Sequence, residues 1–430
     1  MAQIHIFIQL ELVLANLLRK GKGVYAPAGG KVAIIFGDDI NMPEKEVYGA
    51  QPPLELLRQF FDYKFWYDLK MMSLMKLEDM FFIAAMGLPG GSRQDVYARF
   101  LRHFSLFGIN SFDKASMVKI FTEILITGYR EQGFPTDIVP VLKDIVEATM
   151  TIYGWALGNL LPTPTKCHYL FNIRDFNRVI QGHLLLRKDS PAERNNFIRM
   201  WCHEVLRVFY DRLVNVAERE MLLESIKKTV KDTFKEHFDL VLEGLTGDPE
   251  EKEITVEHLN NLLFTSALDT EEDEDKKYEE IVSLERFLEV MGDAITNYNL
   301  SHKTKLNVLL FQYAIAHLVH ICRVISTPGD QGLLVGVSGC GRQSLAKLAT
   351  YVYEMPLFEP EITKNYGPDE WHEDIKRLLK YVGIQNKPHG FLFSDSQVKD
   401  EKFLQDIDVM LNTGEVPNIF GLDEIIEIIE

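Results

Sequence analysis

Cysteine is scarce in this chain. The four in 430 residues, Cys167, Cys202, Cys322 and Cys340, are scattered with no CxxC pair. That excludes a disulfide framework and a Cys-rich zinc module, and it fits a reducing compartment. Long apolar runs are also missing. The most apolar stretch, Val308–Cys322, is broken by Gln312, His317 and His320 and is shorter than the ~18–20 residues of a bilayer-spanning helix. Met1–Leu18 is apolar, but it carries Gln3, His5, Gln9, Glu11 and Asn16 with no basic flank before them. It reads as a helix or strand rather than a secretion signal. Positive charge is in deficit: 46 Lys and Arg stand against 63 Asp and Glu, a net charge of −17. A balance this acidic argues against nucleic acid or an anionic membrane as partner. Glycine (28) and proline (17) are sparse, which leans the chain toward helix.

What is present is an ordinary globular composition, 46% hydrophobic and 25% charged, long enough for several domains. Val32–Phe36 is a β-branched, apolar run between Gly30 and Gly37, and Met80–Met86 is another, closed by Gly87-Leu88-Pro89-Gly90-Gly91. Both read as buried strands of a parallel sheet, with Phe104–Ile109 as a third. Leu54–Asp62, after Pro52-Pro53, has helical spacing. Strand, helix and strand in this order suggest part of an α/β layer over residues 1–110.

The pattern then becomes helical. Asp113–Gly128, Val139–Leu161, Asn195–Val214 and Ile226–Leu242 all carry apolar residues at helical intervals, giving an all-α region over 111–245. Residues 246–300 read as an acidic linker and helical connection, because eight of the twelve residues Asp269–Glu280 are acidic. From 301 to 430 an apolar helix, Leu306–Ile325, precedes a strand at Leu333–Val335, a helix at Gly341–Tyr353 and a buried strand at Phe391–Ser394. Two α/β pieces around a helical piece suggest a tandem array.

The sharpest chemical signal is Gly336-Val337-Ser338-Gly339-Cys340-Gly341-Arg342-Gln343-Ser344, between a strand and a helix. Glycines permit the tight loop, and its N–H groups with the helix N-terminus face anionic oxygens. The general phosphate-loop pattern is GxxxxGK[ST]. Here Arg342 stands at the lysine position and Gln343 at the hydroxyl position. Arginine keeps the charge as a bulkier planar fork, whereas glutamine is a poor stand-in for a Mg²⁺-holding hydroxyl. The partner element, an apolar strand ending in a metal-shell Asp followed by a water-activating Glu, is matched by Phe391–Ser394 and Asp395, but Ser396 takes the place of the base. The site reads as built to hold nucleotide and poorly built to cleave it; the other reading of the segment is a merely structural Gly-rich turn.

The first α/β piece has the converse half. Its strand ends in Asp38-Asp39, where Asp38 suits a metal shell and Asp39 a shortened general base, and no phosphate loop precedes them. Ala28-Gly29-Gly30-Lys31 lacks the spacing and reads as a turn. His203-Glu204-Val205-Leu206-Arg207 resembles HExxH, but Arg207 replaces the second histidine. It reads as the polar side of an amphipathic helix rather than a zinc site. Phe60, Phe61, Phe65, Trp66 and Tyr67 read as core packing.

Several long, colinear motifs resemble the dynein heavy chains. Asp38-Asp39-Ile40-Asn41-Met42-Pro43, Val47–Pro53, Ala84–Gly91, Arg99–Phe104 and Tyr169–Gly182 are similar to the third AAA+ module and its helical lid. Gly336–Ser344, Lys364-Asn365-Tyr366-Gly367 and Leu411–Asn418 are similar to the fourth. The Arg-Gln-Ser form of the loop resembles axonemal dyneins and differs from the cytoplasmic type, which keeps Lys and Thr. The likeness covers almost the whole chain from about residue 18.

The resemblance implies a fold of α/β plus all-α parts: a partial AAA+ P-loop sheet, a helical lid and a second partial AAA+ domain. It implies a segment of a ciliary or flagellar microtubule motor with six AAA+ modules in a ring, located in the cytoplasm, the cytoskeleton and the axoneme. Its cofactor would be ATP or ADP with Mg²⁺. Its partners would be the rest of the ring, intermediate and light chains, and microtubules. Asp38 and Asp39 would be the acidic pair of the third module, Arg99 or Arg102 its arginine finger and Arg174 its sensor arginine. Gly336, Gly339, Gly341, Arg342, Gln343, Ser344 and Asp395 would hold nucleotide in the fourth, with Mg²⁺ at Asp38 or Asp395. Gly87 occupies a place where many AAA+ proteins carry a polar sensor. The third module's phosphate loop, the main hydrolytic module, the stalk, the microtubule-binding tip and the linker are not in this sequence. The chain alone is therefore expected to be a poor ATPase. The other readings are a free-standing small ATPase and a non-enzymatic scaffold or isoform that binds motor subunits.

Overall fold

The computed structural model describes residues 13–14, 17–68, 71–90, 93–163, 165–166, 168–188, 193–246, 253–268, 277–327, 329–385, 387–414, 416, 419–421, 424–425 and 428. Most of Met1–Leu18 and most of the acidic run, 269–276, lie outside them. Two compact units are present, one of Met1–Ser111 with Gln405–Glu430 and one of Phe112–Leu404.

In the first unit a small mixed sheet is formed by β1 (Leu18–Gly21), β2 (Val24–Ala26), β4 (Phe65–Tyr67) and β5 (Leu74–Leu77), in the order β1-β2-β5-β4. A separate parallel pair joins β3 (Ala33–Gly37) to β6 (Met80–Ala84), with Ala33 opposite Met80 and Gly37 opposite Ala84. Helix α1 (Pro52–Tyr63) has proline in its first turn and ends where Lys64 turns left-handed at φ 62°, the helix-stop geometry of a C-cap. Its Phe60 packs at 5.2 Å on Phe82 and 5.6 Å on Trp66, whose indole N–H donates to Leu56 O at 2.9 Å. Phe60 and Trp66 are thus core, Phe61 and Phe65 are partly buried, and Tyr67, expected in the same core, is 47% exposed. Ala28–Gly30 is a tight turn with Gly29 at φ 66°.

Two expectations for this unit need correction. β3 and β6 are not buried on both faces: Ile34, Phe36, Phe81 and Ile83 are exposed, while the alternate residues Ile35 and Phe82 are partly buried. A strand shows one face to each side, and among the described residues only one side is covered. Phe104–Ile109 is not a third strand; Leu106, Phe107 and Ile109 are exposed and no ladder pairs them. After the short helix α2 (Ala98–Leu101) the chain is irregular up to the next helix.

The second unit begins with α3 (Lys114–Glu131), α4 (Val139–Asn159), α5 (Ile173–His183), α6 (Arg194–Val205), α7 (Val216–Thr229) and the short α8 (Phe238–Val241). One continuous core runs from Met117 to Tyr278. At its centre Trp201 donates to Thr149 Oγ1 at 2.9 Å. Helix α6 passes into a π-helical turn, Leu206–Tyr210, and α7 into another, Val230–Phe234, closed by Lys235 at φ 62°. The expected helix over Ile226–Leu242 therefore starts earlier and breaks at Lys235. The segment after 246 is more than a linker: Ile254, Leu259, Leu262 and Tyr278 belong to the helical core, and β7 (Phe264–Thr265) pairs antiparallel with β8 (Glu279–Glu280). Arg199 holds the Glu280 carboxylate, 2.8 Å from Nε.

Helix α9 (Leu284–Ser301), α10 (Gln312–Ser326) and α11 (Arg342–Val352) share a second core. β9 (Leu357–Phe358) and β10 (Gly390–Phe391) form a short parallel pair, with α12 (Pro368–Gln385) between them in sequence and α13 (Glu401–Thr413) after. Trp371 is fully buried and stacks on Phe403 at 4.7 Å. The strand expected at Leu333–Val335 is absent; Leu333 and Val335 are 89% and 84% exposed. Its residue types suit a strand, but a strand needs a ladder partner, and none is present among the described residues.

Candidate functional site: an acidic turn and a glycine loop

The acidic turn follows β3 directly and is stitched to the end of β6. Ala85 N–H donates to Gly37 O at 2.8 Å and Ile40 N–H to Ala85 O at 3.2 Å. Asp39 sits at φ 45°, a left-handed conformation that a short Asx side chain tolerates, and its N–H donates to Asp38 Oδ1 at 3.0 Å. The Asp39 carboxylate is gripped by Arg93, with Nη2 at 3.1 Å and Nε at 3.2 Å from Oδ1. Arg93 reaches Asp39 because Gly87 has no side chain: a Cβ there would lie 2.9 Å from Arg93 Nε. Asn41, fully buried, donates to Gly87 O at 2.9 Å and ties the two loops together. Sequence reasoning missed Arg93. Its signal was an arginine just past the Gly90-Gly91 loop, at a position where a glycine upstream clears space.

The arginine-finger candidates are tethered. Arg99 donates to Glu55 at 2.6 Å and Arg102 to Asp62 at 2.8 Å, while Arg58 bridges the same two carboxylates at 2.7 and 3.0 Å. Burial opposes ionisation of Glu55, but Arg58 and Arg99 outweigh it and hold its carboxyl below the usual range. Arg99 and Arg102 are thus both tethered to carboxylates of α1 and remain more than half exposed.

Arg174 opens α5. Asn172 and Asp175 form a reciprocal capping box around it, with Arg174 N–H donating to Asn172 Oδ1 at 2.8 Å. Asp175 is buried and paired with Arg212. The Arg174 side chain is exposed, with no ion pair or side-chain hydrogen bond among the described residues.

The glycine loop leads into α11. Gly339 and Gly341 lie at φ 84° and 82°, where a side chain would be strained. At Gly336 a Cβ would come 3.0 Å from Cys340 Sγ and 3.5 Å from Arg342 Cδ. No side chain caps α11, so its first N–H groups remain available to an anion. Residues 336–340 are exposed, and Arg342 has no hydrogen bond or ion pair among the described residues. Loop, uncapped helix start and unengaged guanidinium fit a nucleotide phosphate. Gln343 and Ser344 follow in the first turn of the helix.

Two contacts fix the direction of α11 against the strands. A Cβ on Gly390 would meet Thr350 Cγ2 at 2.8 Å, and Lys347 Nζ is 2.8 Å from Glu359 Oε2. Gly390 stands opposite Leu357, so three residues earlier on the helix corresponds to two residues later along the chain, just past β9, and helix and strands run oppositely. The helix start with its loop and the strand end leading to Asp395 lie at the same edge. Asp395 is exposed at the start of a 3₁₀ turn, while the Ser396 hydroxyl is 3.0 Å from that of Ser394. Mg²⁺ in such a site takes one or two carboxylates plus phosphate oxygens and water. Among the described residues no three His, Cys, Asp or Glu side chains are grouped to hold a metal, and no helix is long and apolar enough to cross a membrane.

The His203–Arg207 segment is not the solvated side of a helix. His203 and Glu204 are fully buried. Glu204 accepts from Arg323 of α10, 3.2 and 3.1 Å from its Nε, and from His203 Nδ1 at 3.1 Å. Burial opposes its ionisation, but the Arg323 guanidinium wins and holds it at about 2. Gly182 leaves room for the pair, since a Cβ there would lie 1.7 Å from Glu204 Oε2.

Comparison with known proteins agrees with this layout. A P-loop-containing dynein motor region matches residues 7–112, an AAA+ lid domain 145–244, and the P-loop-containing dynein motor region D4 306–430. Dynein axonemal heavy chain 3 of Homo sapiens is 43% identical over 420 residues, 98% of this chain and 10% of that protein. Dynein axonemal heavy chain 12 of Homo sapiens is 47% identical over 378 residues, 88% of this chain and 12% of that protein. The chain spans about a tenth of the length of these relatives; its match to dynein motor regions favours a motor segment over a non-enzymatic scaffold or isoform.

Proposed function

The chain belongs to the axonemal dynein heavy-chain family, and from that premise we propose that it supplies parts of two consecutive AAA+ modules to a ring-shaped motor. Residues 1–110 form part of the large subdomain of the third module and 111–245 its lid. Residues 246–300 connect it to the fourth, which begins at about 301. The motor acts on microtubules in the axoneme of cilia or flagella, with the rest of the ring and the intermediate and light chains as partners. ATP or ADP with Mg²⁺ occupies the fourth module in a regulatory role. The loop N–H groups from Gly336 to Ser344 and the Arg342 guanidinium bind phosphate oxygens, and Asp395 faces the metal. Asp38 and Asp39 serve the third module as its acidic pair, Arg99 or Arg102 as its finger and Arg174 as its sensor.

The observation that carries this reading is the open glycine loop on an uncapped helix with Arg342 unengaged. Ser396, where a base would stand, supports retention over cleavage, because a serine at its ordinary pKa does not take a proton from water. Calorimetry with ADP and Mg²⁺ tests it. Arg342→Ala is expected to weaken binding about 10–100-fold, the worth of a charge-assisted phosphate contact of roughly 1.5–3 kcal/mol. Unchanged affinity would reduce the loop to a turn.

A further inference from the structure

A concentration of buried polar groups lies between α6 and α10, away from the glycine loop. The π-helical turn Leu206–Tyr210 extends α6 and brings Arg207 inside; π-turns of this kind often mark sites of function. The Arg207 side chain is 5% exposed, and its Nε lies 3.2 Å from Asp211 Oδ2. That contact lacks hydrogen-bond alignment, so Nε and Nη1 of Arg207 are buried without a hydrogen-bond partner. Across from it α10 presents His317, His320 and Arg323. His320 Nδ1 is 3.9 Å from Asp211 Oδ2, and its buried Nε2 has no partner. His203 gives Nδ1 to Glu204, and its Nε2 is likewise buried and unpartnered. The hydroxyl of Tyr278, whose ring lies 6.5 Å from that of His203, is a further buried atom without a partner.

Native interiors leave few such atoms unsatisfied, and a group of them close together points to a bound partner or ordered water. Its chemistry follows from the atoms. Arg207 offers only donors. Asp211 offers acceptors. His203 donates Nδ1–H to the Glu204 carboxylate, which leaves its Nε2 as an acceptor. Burial keeps His203 and His320 neutral, with His203 held at about 4 and His320 well below its ordinary value. A bare anion cannot donate to imidazole nitrogen, and a cation is repelled by Arg207. The ligand must both give and accept hydrogen bonds and be small.

We propose that Arg207, His203, His320 and Tyr278, with Asp211 at the solvent-facing rim, its side chain 32% exposed, hold bound water, which carries hydrogen bonds from Arg207 and Tyr278 to Asp211 and His203 Nε2 and pairs with His320 Nε2. Beside the direct Glu204–Arg323 pair, this makes a hydrated seam between two helices that are 119 residues apart at that pair.

A high-resolution crystal structure of the full chain, with a bromide soak and water–protein NOEs in solution, tests the proposal. Expected are solvent peaks within hydrogen-bond reach of Arg207 Nη1 and His320 Nε2, no bromide signal, and loss of the first peak in Arg207→Met. Should Arg207→Met fail to fold, His320→Leu is expected to remove the peak at its own position. Direct contacts between the side chains with no density between them would overturn the proposal. So would a bromide peak, or solvent unchanged in both variants.

Discussion

Glu204 and Arg323 illustrate how a single residue's worth depends on its neighbour. Removing one member of a buried pair strands the other, at a cost of about 3–5 kcal/mol, whereas replacing both with apolar residues of similar size is often close to neutral. Glu204→Gln or Arg323→Met alone is therefore expected to lower the denaturation midpoint sharply, and Glu204→Leu with Arg323→Met together to recover most of it. A double variant as unstable as the sum of the singles would count against the pairing. Buried histidines add a pH dependence. His183 and His203 are both held at about 4 by burial, against an ordinary 6.5. Below 6.5 the unfolded chain takes up protons that the folded chain refuses, so stability is full above that pH and falls as pH drops toward 4. The loss is of the order of a few kcal/mol, and Glu204 adds to it between 4.5 and about 2. Denaturant midpoints measured from pH 7 to pH 4 should fall steadily; a flat profile would mean the histidines are solvated.

Among the elements, α5 is held by its cap. Asn172→Ala should cost about 1 kcal/mol and Asn172→Gly only a few tenths, read as a shift in thermal midpoint; equal losses would place the stabilisation elsewhere. Helices such as α1, α3 and α4 were legible in the sequence because their apolar spacing and prolines are local signals. Leu333–Val335 and Phe104–Ile109 were misread for one physical reason. Residue type states that a segment can be a strand, but the ladder depends on a neighbour that composition does not name. The glycine loop was legible as a motif, and it leads into α11 as the sequence suggested. The role of Arg93 was not, because it depends on Gly87 being empty. The His203–Arg207 helix was misjudged because periodicity shows which face is polar and not whether a distant arginine buries it.

At the scale of the whole molecule, the irregular stretch from Ser105 to Asp113 separates the two units and exposes Phe107 and Phe112. Brief chymotrypsin digestion is expected to cut there first and to leave a protected piece starting near Phe112. Exposed, irregular chain is where proteases enter, whereas the core from Met117 to Tyr278 is continuous. Initial cleavage inside α4 or α6 would contradict that core. The chain also carries its own optical reporters. Trp66, Trp201 and Trp371 are each fully buried, in the α1 cluster, the lid core and the α12–α13 contact respectively. Their emission should be blue-shifted in the native state and move to the red as each neighbourhood admits solvent. Variants that keep one of the three and also replace Trp155 would separate the melting of three regions within a single polypeptide, without any attached dye.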